Sequence, residues 1–258
     1  MNRINKLFNS GKADNLLSLY FCAGTPETAD PASVIATLEK KGVEMVEVGI
    51  PFSDPMADGP VIQQAATRAL RNGYSLRKLF ADLEGVRQKA TIPLLLMGYL
   101  NPIMQYGFEA FCKDAARCGI DGFIIPDLPF ADYLCEYKPV ADRYDLRIIM
   151  LITPETEEER VRLIDSHTDG FIYMVSTAST TGARNSFNEK SMRYFDRINR
   201  MNLKNKRMIG FGISNRDTFT TACRYAKGGI IGSKFVSLLK ETGDAALAAD
   251  RLLRHLYR

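Results

Sequence analysis

Eight short runs rich in apolar and β-branched residues recur along the chain, separated by longer amphipathic stretches. The runs are Leu16–Phe21, Glu44–Ile50, Pro93–Tyr99, Gly122–Asp127, Arg147–Ile152, Gly170–Ser176, Arg207–Gly212 and Gly228–Gly232. Most are continuously apolar rather than alternating, the pattern of parallel strands covered on both faces. The stretches between them carry helix signals. Asp30 precedes Pro31, and an acid-rich turn at Glu155–Glu159 follows Thr153-Pro154. Further helices are predicted over Ser75–Lys89, Gln105–Cys118, Ala131–Tyr144, Asn188–Met201, Asn215–Ala226 and Asp244–Leu256. About eight such units, about 20 to 50 residues apart, fit a closed α/β barrel of the (β/α)8, or TIM, type. An open doubly wound sheet fits less well, because no GxGxxG follows the first run. The pattern predicts one barrel domain over residues 1–258. It adds an N-terminal helix before the first strand and a short phosphate-binding helix after the eighth.

Composition narrows the function classes. With 46% hydrophobic and 25% charged residues, the chain can bury an ordinary globular core. Its net charge of +4 is small and spread out. The mild basic cluster from Arg193 to Arg207 lacks interleaved aromatics, so no nucleic-acid partner is expected. The opening MNRINKLFNSGK has no apolar core of a signal peptide, and no run reaches the roughly 18 apolar residues of a membrane span. Cys22, Cys112, Cys118, Cys135 and Cys223 are scattered, odd in number and free of CxxC spacing. They read as reduced thiols of a cytoplasmic protein.

In such barrels the active site forms at the carboxyl ends of the strands and in the loops that follow. Candidate chemistry is thereby confined to Glu47, the loop Pro51–Pro60, Tyr99–Asn101, Asp127, Tyr173, Thr177–Gly182, Phe211–Ser214 and Gly232–Lys234. Of two histidines, His167 falls at the opposite end of the barrel and His255 lies in the last helix. No HExxH, CxxC or clustered ligand set suggests a metal, and no GxSxG elbow is present. Proton transfer is left to carboxylates. Glu47 faces away from Val46 and Val48; an inward-facing carboxylate in a poorly solvated mouth has its pKa raised toward neutrality. The competing reading is a strand-end glutamate paired with a lysine or arginine. Asp58, between Pro55 and Gly59-Pro60, is either a second functional acid or a turn or helix-capping residue. Asp54, beside Pro55, suits a turn or contact role better than chemistry.

A phosphate site has its own signature. Gly210–Ser214 (GFGIS) and Gly232–Lys234 (GSK) each stand between a strand and a helix, after the seventh and eighth strands. Glycines there let backbone amides approach an anion. Thr181-Gly182 in STASTTGAR either closes over the same anion or belongs to an ordinary polar loop.

The segments EVGIPFSDPMADGP, YFCAGTP, MGYLNP, TTG, GFGIS and the final GS, in this order from near Leu16 to the last strand, resemble the tryptophan synthase alpha subunit family. The resemblance implies a lyase that splits indole-3-glycerol phosphate into indole and glyceraldehyde 3-phosphate for tryptophan biosynthesis. Carried onto this chain, it makes Glu47 the acid–base residue and Asp58 the acceptor for the indole N–H. Tyr20, Met97, Tyr99, Ile124, Leu151, Tyr173 and Phe211 then line the indole slot, while Thr181, Gly182, Gly212, Gly232 and Ser233 hold the phosphate end. No cofactor is implied in this subunit. The family works with a pyridoxal-phosphate-dependent beta subunit, commonly in an α2β2 heterotetramer, with Pro51, Asp54 and Pro55 as contact residues. Four positions depart from the family pattern: Ser179-Thr180 replaces a usual Gly-Val pair, Thr177 replaces an arginine of some members, and Lys234 replaces a small apolar residue. A non-catalytic regulatory subunit and another phosphate-binding barrel isomerase or synthase are the alternatives.

Overall fold

The strands pair in parallel, each with the next in chain order, and the eighth closes on the first. The computed structural model describes residues 1–11, 14–26, 30–176 and 186–257. In chain order the first half comprises α1 (Arg3–Asn9), β1 (Leu16–Cys22), α2 (Pro31–Lys40), β2 (Met45–Gly49), α3 (Pro60–Arg71), α4 (Leu76–Asp82), β3 (Leu94–Met97), α5 (Leu100–Tyr106), α6 (Phe108–Arg117) and β4 (Gly122–Ile124). The second half comprises α7 (Phe130–Asp132), α8 (Lys138–Arg143), β5 (Arg147–Ile152), α9 (Glu158–His167), β6 (Phe171–Val175), α10 (Glu189–Arg200), β7 (Lys206–Gly210), α11 (Arg216–Tyr225), β8 (Gly228–Ile231), α12 (Ser233–Thr242) and α13 (Ala245–Tyr257). The closed barrel expected from the repeated units is the one observed. Among the described residues no helix is long and apolar enough to cross a membrane.

Period-two alternation sorts the strand residues into two cores. Leu17, Leu19, Val46, Val48, Leu94, Leu96, Phe123, Ile172 and Ile209 point outward into the layer shared with the helices. Leu16, Tyr20, Met45, Leu95, Met97, Ile124, Ile149, Phe171, Tyr173, Met208 and Ile230 fill the barrel itself. Helix α1 plugs the amino end of the barrel with Ile4 and Phe8, and Phe8 meets Phe171 at 5.3 Å between ring centres. Burying such a side chain contributes roughly 1.5–3 kcal/mol, so the plug is a substantial part of the floor.

Helix boundaries differ from expectation where single residues interrupt the pattern. The stretch Ser75–Lys89 stops at Asp82; Gly85, at φ +73°, starts a separate 3₁₀ turn over Val86–Gln88. Instead of one helix over Gln105–Cys118, α5 starts earlier at Leu100, and Gly107 at φ +90° separates it from α6. Within Ala131–Tyr144 the backbone widens into a π turn at Tyr133–Tyr137, just ahead of Pro139, which has no N–H to donate. Thr153–Thr156 forms a turn closed by the Thr156 N–H on the Thr153 carbonyl at 3.0 Å, so α9 starts only at Glu158. The helix after β8 is not short: α12 runs ten residues before Gly243, at φ +64°, turns the chain into α13.

Candidate active site

Strand β2 carries Glu47 into the barrel interior, level with Tyr20 on β1 and Leu95 on β3. The side chain is fully buried, with 0% of its surface exposed. Among the described residues no lysine or arginine meets it. Its one hydrogen-bond partner is Ser18, whose Oγ lies 3.3 Å from Oε1, while Oε2 has no partner among the described residues. Burial pushes the Glu47 carboxyl up to about 8, against a small opposing pull from the Ser18 hydroxyl. Among the described residues nothing forms the structural ion pair that the alternative reading of Glu47 requires.

The loop after β2 folds back through tight turns, with the Met56 N–H on the Asp54 carbonyl at 2.9 Å and the Asp58 N–H on the Pro55 carbonyl at 3.0 Å. These turns bring Asp58 under cover at 7% exposure. Tyr99 donates its hydroxyl to Asp58 Oδ2 at 3.0 Å and accepts the Ala57 N–H at 3.0 Å. Asp58 Oδ1 has no partner among the described residues. Burial lifts this carboxyl to about 6, with the Tyr99 bond acting in the opposite direction. Asp58 does not cap α3: Gly59 is the N-cap residue, and no side chain bonds the helix start. Asp54 is exposed and takes the Ser53 hydroxyl at 2.5 Å; Pro51 is buried and Pro55 half-buried.

Opposite the acids lies an apolar wall. Tyr20, Met97, Ile124 and Tyr173 belong to one buried cluster, with Leu151 and Phe211 packed against it half-buried. Tyr173 meets Phe211 edge-on at 6.1 Å. Tyr99 stands outside that cluster, its ring tilted on Phe52 at 5.4 Å and its hydroxyl committed to Asp58. Two glycines not recognised as wall residues make room for the tyrosines. A Cβ on Gly49 would collide with the Tyr20 hydroxyl, and one on Gly210 with that of Tyr173. Asp127 accepts the Leu100 N–H at 2.9 Å and so serves the start of α5.

Backbone geometry shapes the side contributed by the last strands. Phe211 and Gly212 adopt φ +67° and +72° in succession, a turn that reverses the chain after β7. Ser176 donates its hydroxyl to the Phe211 carbonyl at 2.6 Å, holding the strained residue in place. Gly232 is the N-cap of α12, no side chain caps that helix, and Ser233 opens its first turn. The first N–H groups of this ten-residue helix are thus open to an anion. Lys234 follows in the same turn, half-buried. Thr177, Ser179, Thr180, Thr181 and Gly182 lie outside the described residues. His167, at the opposite end of the barrel, is exposed and bonded to the Leu163 carbonyl at 2.9 Å. Among the described residues no cluster of histidine, cysteine or acidic side chains is arranged to hold a metal.

A family model described as tryptophan synthase alpha chain matches residues 8–255. The tryptophan synthase alpha chain of Phocaeicola vulgatus is 63% identical over 257 residues, covering 99% of each chain. Among solved structures, the tryptophan synthase alpha chain of Legionella pneumophila superposes with a TM-score of 0.86 at 33% identity, over 99% of this chain and 96% of that one. A tryptophan synthase complex from Pyrococcus furiosus includes a chain with a TM-score of 0.84 at 31% identity, over 94% and 98%. With a shared barrel, near-complete coverage and this level of identity, the chain belongs to the tryptophan synthase alpha chain family.

Proposed function

We propose that Glu47 and Asp58 carry the reaction of this family, the cleavage of indole-3-glycerol phosphate to indole and glyceraldehyde 3-phosphate in tryptophan biosynthesis. The observation that carries the assignment is the unpartnered Oε2 of a fully buried Glu47 at the mouth of the barrel. A carboxyl with its pKa near 8 holds a proton at neutral pH and can release it. Glu47 gives that proton to indole C3, leaving a positively charged indolenine. The carboxylate so formed takes the proton of the adjacent glycerol hydroxyl as the carbon–carbon bond breaks. The bonding electrons return to the ring, and the hydroxyl carbon leaves as the aldehyde. Glu47 ends protonated, as it began.

Asp58 accepts the indole N–H through Oδ1 and stabilises the positive charge that appears on the ring. With its pKa at about 6 it is ionised at neutral pH, as this role requires. The wall from Tyr20, Met97, Ile124, Leu151, Tyr173 and Phe211 takes the indole, while Gly212, Gly232 and Ser233, joined by Thr181 and Gly182, take the phosphate. Proton exchange by Glu47, with Asp58 as a charged acceptor, calls on no metal or organic cofactor in this chain. General acid–base catalysis of this kind supplies about 10²–10⁴-fold, so orientation and electrostatics share the remainder.

The partner in this reading is a pyridoxal-phosphate-dependent beta subunit, in an α2β2 assembly that receives the indole. Its docking surface includes Asp54 and Pro55, beside Met56, which is 84% exposed on the same loop; Pro51, expected there too, is buried at the start of that loop and offers the partner no surface of its own. The test is indole release from indole-3-glycerol phosphate, with and without added beta subunit. Release by this chain alone, accelerated by the partner, is expected; none under either condition overturns the assignment.

A further inference from the structure

Strand β1 turns Leu16, Ser18, Tyr20 and Cys22 toward the barrel interior, and Ser18 is out of place in that company. It is 0% exposed, surrounded by an apolar core, and its hydroxyl makes one hydrogen bond, to Glu47 Oε1 at 3.3 Å. An alanine would fill nearly the same space without a polar group to desolvate. A buried hydroxyl is costly when unpaired, and the partner this one has is Glu47.

We infer that Ser18 is a positioning residue: it holds Oε1 of Glu47 whether or not the acid carries a proton, and thereby keeps Oε2 turned to the substrate. A glutamate carboxyl rotates in a broad well about its last torsion, so an unanchored group would present either oxygen. A hydroxyl gives its hydrogen to Oε1 in both forms, more strongly to the carboxylate, so the proton of the neutral acid sits on Oε2, where the substrate is. A lysine or arginine in its place would hold the ionised form alone. Among the described residues the titratable groups that face Glu47 are Tyr20 on β1 and Tyr173 on β6, both of which also feel Asp58, with Cys22 and Tyr99 beyond Tyr20. None of these is a cation, so among the described residues Ser18 is the group favouring the carboxylate.

This inference rests on the role assigned to Glu47, and the experiment separates the two. The Glu47 carboxyl is followed by carbon NMR or by its infrared carbonyl band across pH, in the parent, Ser18→Ala and Ser18→Thr, alongside kcat and KM. In Ser18→Ala the titration should move up by about one pH unit, the scale of losing one hydrogen bond to a charge. The pH profile of kcat should follow it, with kcat down about tenfold and KM nearly unchanged, and Ser18→Thr should move the titration back toward the parent. A titration unmoved in Ser18→Ala, or moved downward, overturns the inference. A shifted titration that kcat does not follow upholds the contact and removes Glu47 from the reaction. Should Ser18→Ala fold poorly, Ser18→Gly removes the same hydroxyl and is read in the same way.

Discussion

Two acids are buried at opposite ends of this barrel, and they are treated in opposite ways. Asp121, just before β4 at the floor, is 2% exposed and saturated with partners. Its Oδ1 accepts Arg3 at 3.0 Å, and its Oδ2 accepts Arg87 at 2.5 Å and the Leu94 N–H at 2.8 Å. Its carbonyl takes the Asn2 side chain at 2.8 Å, so one residue ties α1, the 3₁₀ turn and β3 together. Glu47, at the mouth, is buried as deeply and meets one weak hydroxyl. Burial alone therefore does not mark a reactive acid. What marks it is burial with the partners withheld: the charge is then expensive, the proton is retained near neutral pH, and one oxygen is left for the substrate.

The strongest test of that contrast is Glu47→Gln, which keeps the shape and removes the proton. Cleavage should fall by at least about 10³-fold with substrate still bound, while the fold should gain. Burial raises the folded-state value of Glu47 to about 8. The parent is therefore most favoured while the acid is protonated, and it loses that advantage as pH rises from the ordinary carboxylate range through about 8. At pH 9 the variant should melt above the parent, and below about pH 4 the two should converge. Equal melting temperatures at both pH values would mean that Glu47 is not held against its charge.

Asp121→Ala attacks the other side of the comparison. Removing Asp121 from its buried ion pair leaves Arg87, with 18% of its side chain exposed, bonded to the carbonyls of Gly119, Ala90 and Ile92 but without that carboxylate for its charge. Breaking such a pair costs about 3–5 kcal/mol, readable as a lower denaturation midpoint. Cleavage per folded molecule should stay at the parent level, because the floor lies far from the mouth along every strand. A variant that is stable yet inactive would place the floor network in the chemistry and dissolve the distinction.

The two ends were not equally legible in the sequence. Strand positions came through within one or two residues, because an apolar run between turn signals is a local property, except that β4 ends at Ile124, three residues before the expected Asp127. Glu47 was visible for the same reason: an acid inside VEVGI has no local excuse. The Asp121 network was not, since Arg3 joins it across 118 positions and no pattern in the chain announces that meeting. Gly49 and Gly210 read as ordinary strand-end glycines until Tyr20 and Tyr173 are placed against them. Ser18 escaped because small polar residues are common, and it becomes informative only when its neighbours prove apolar. Helix limits failed at Gly85, Gly107 and Pro139, where one residue outweighs the periodicity around it.

Asp58 lies between the two extremes, with one oxygen held by Tyr99 and the other bare, and it yields the subtlest prediction. The Tyr99 hydroxyl pulls the Asp58 carboxyl down against the effect of burial, leaving it at about 6. In Tyr99→Phe that pull is lost and the Ala57 N–H loses its acceptor. The Asp58 value should therefore rise. Because only the ionised acid offsets the positive charge on the indole ring, and it accepts the N–H more strongly than the neutral form, the acid limb of the kcat profile should move to higher pH by about half to one unit. At pH 8.5, where Asp58 remains ionised in both proteins, the loss should shrink to a few-fold. An acid limb that stays in place while kcat falls uniformly would show that Tyr99 serves the site as a packed ring on Phe52, and that Asp58 is held by the turns of its own loop.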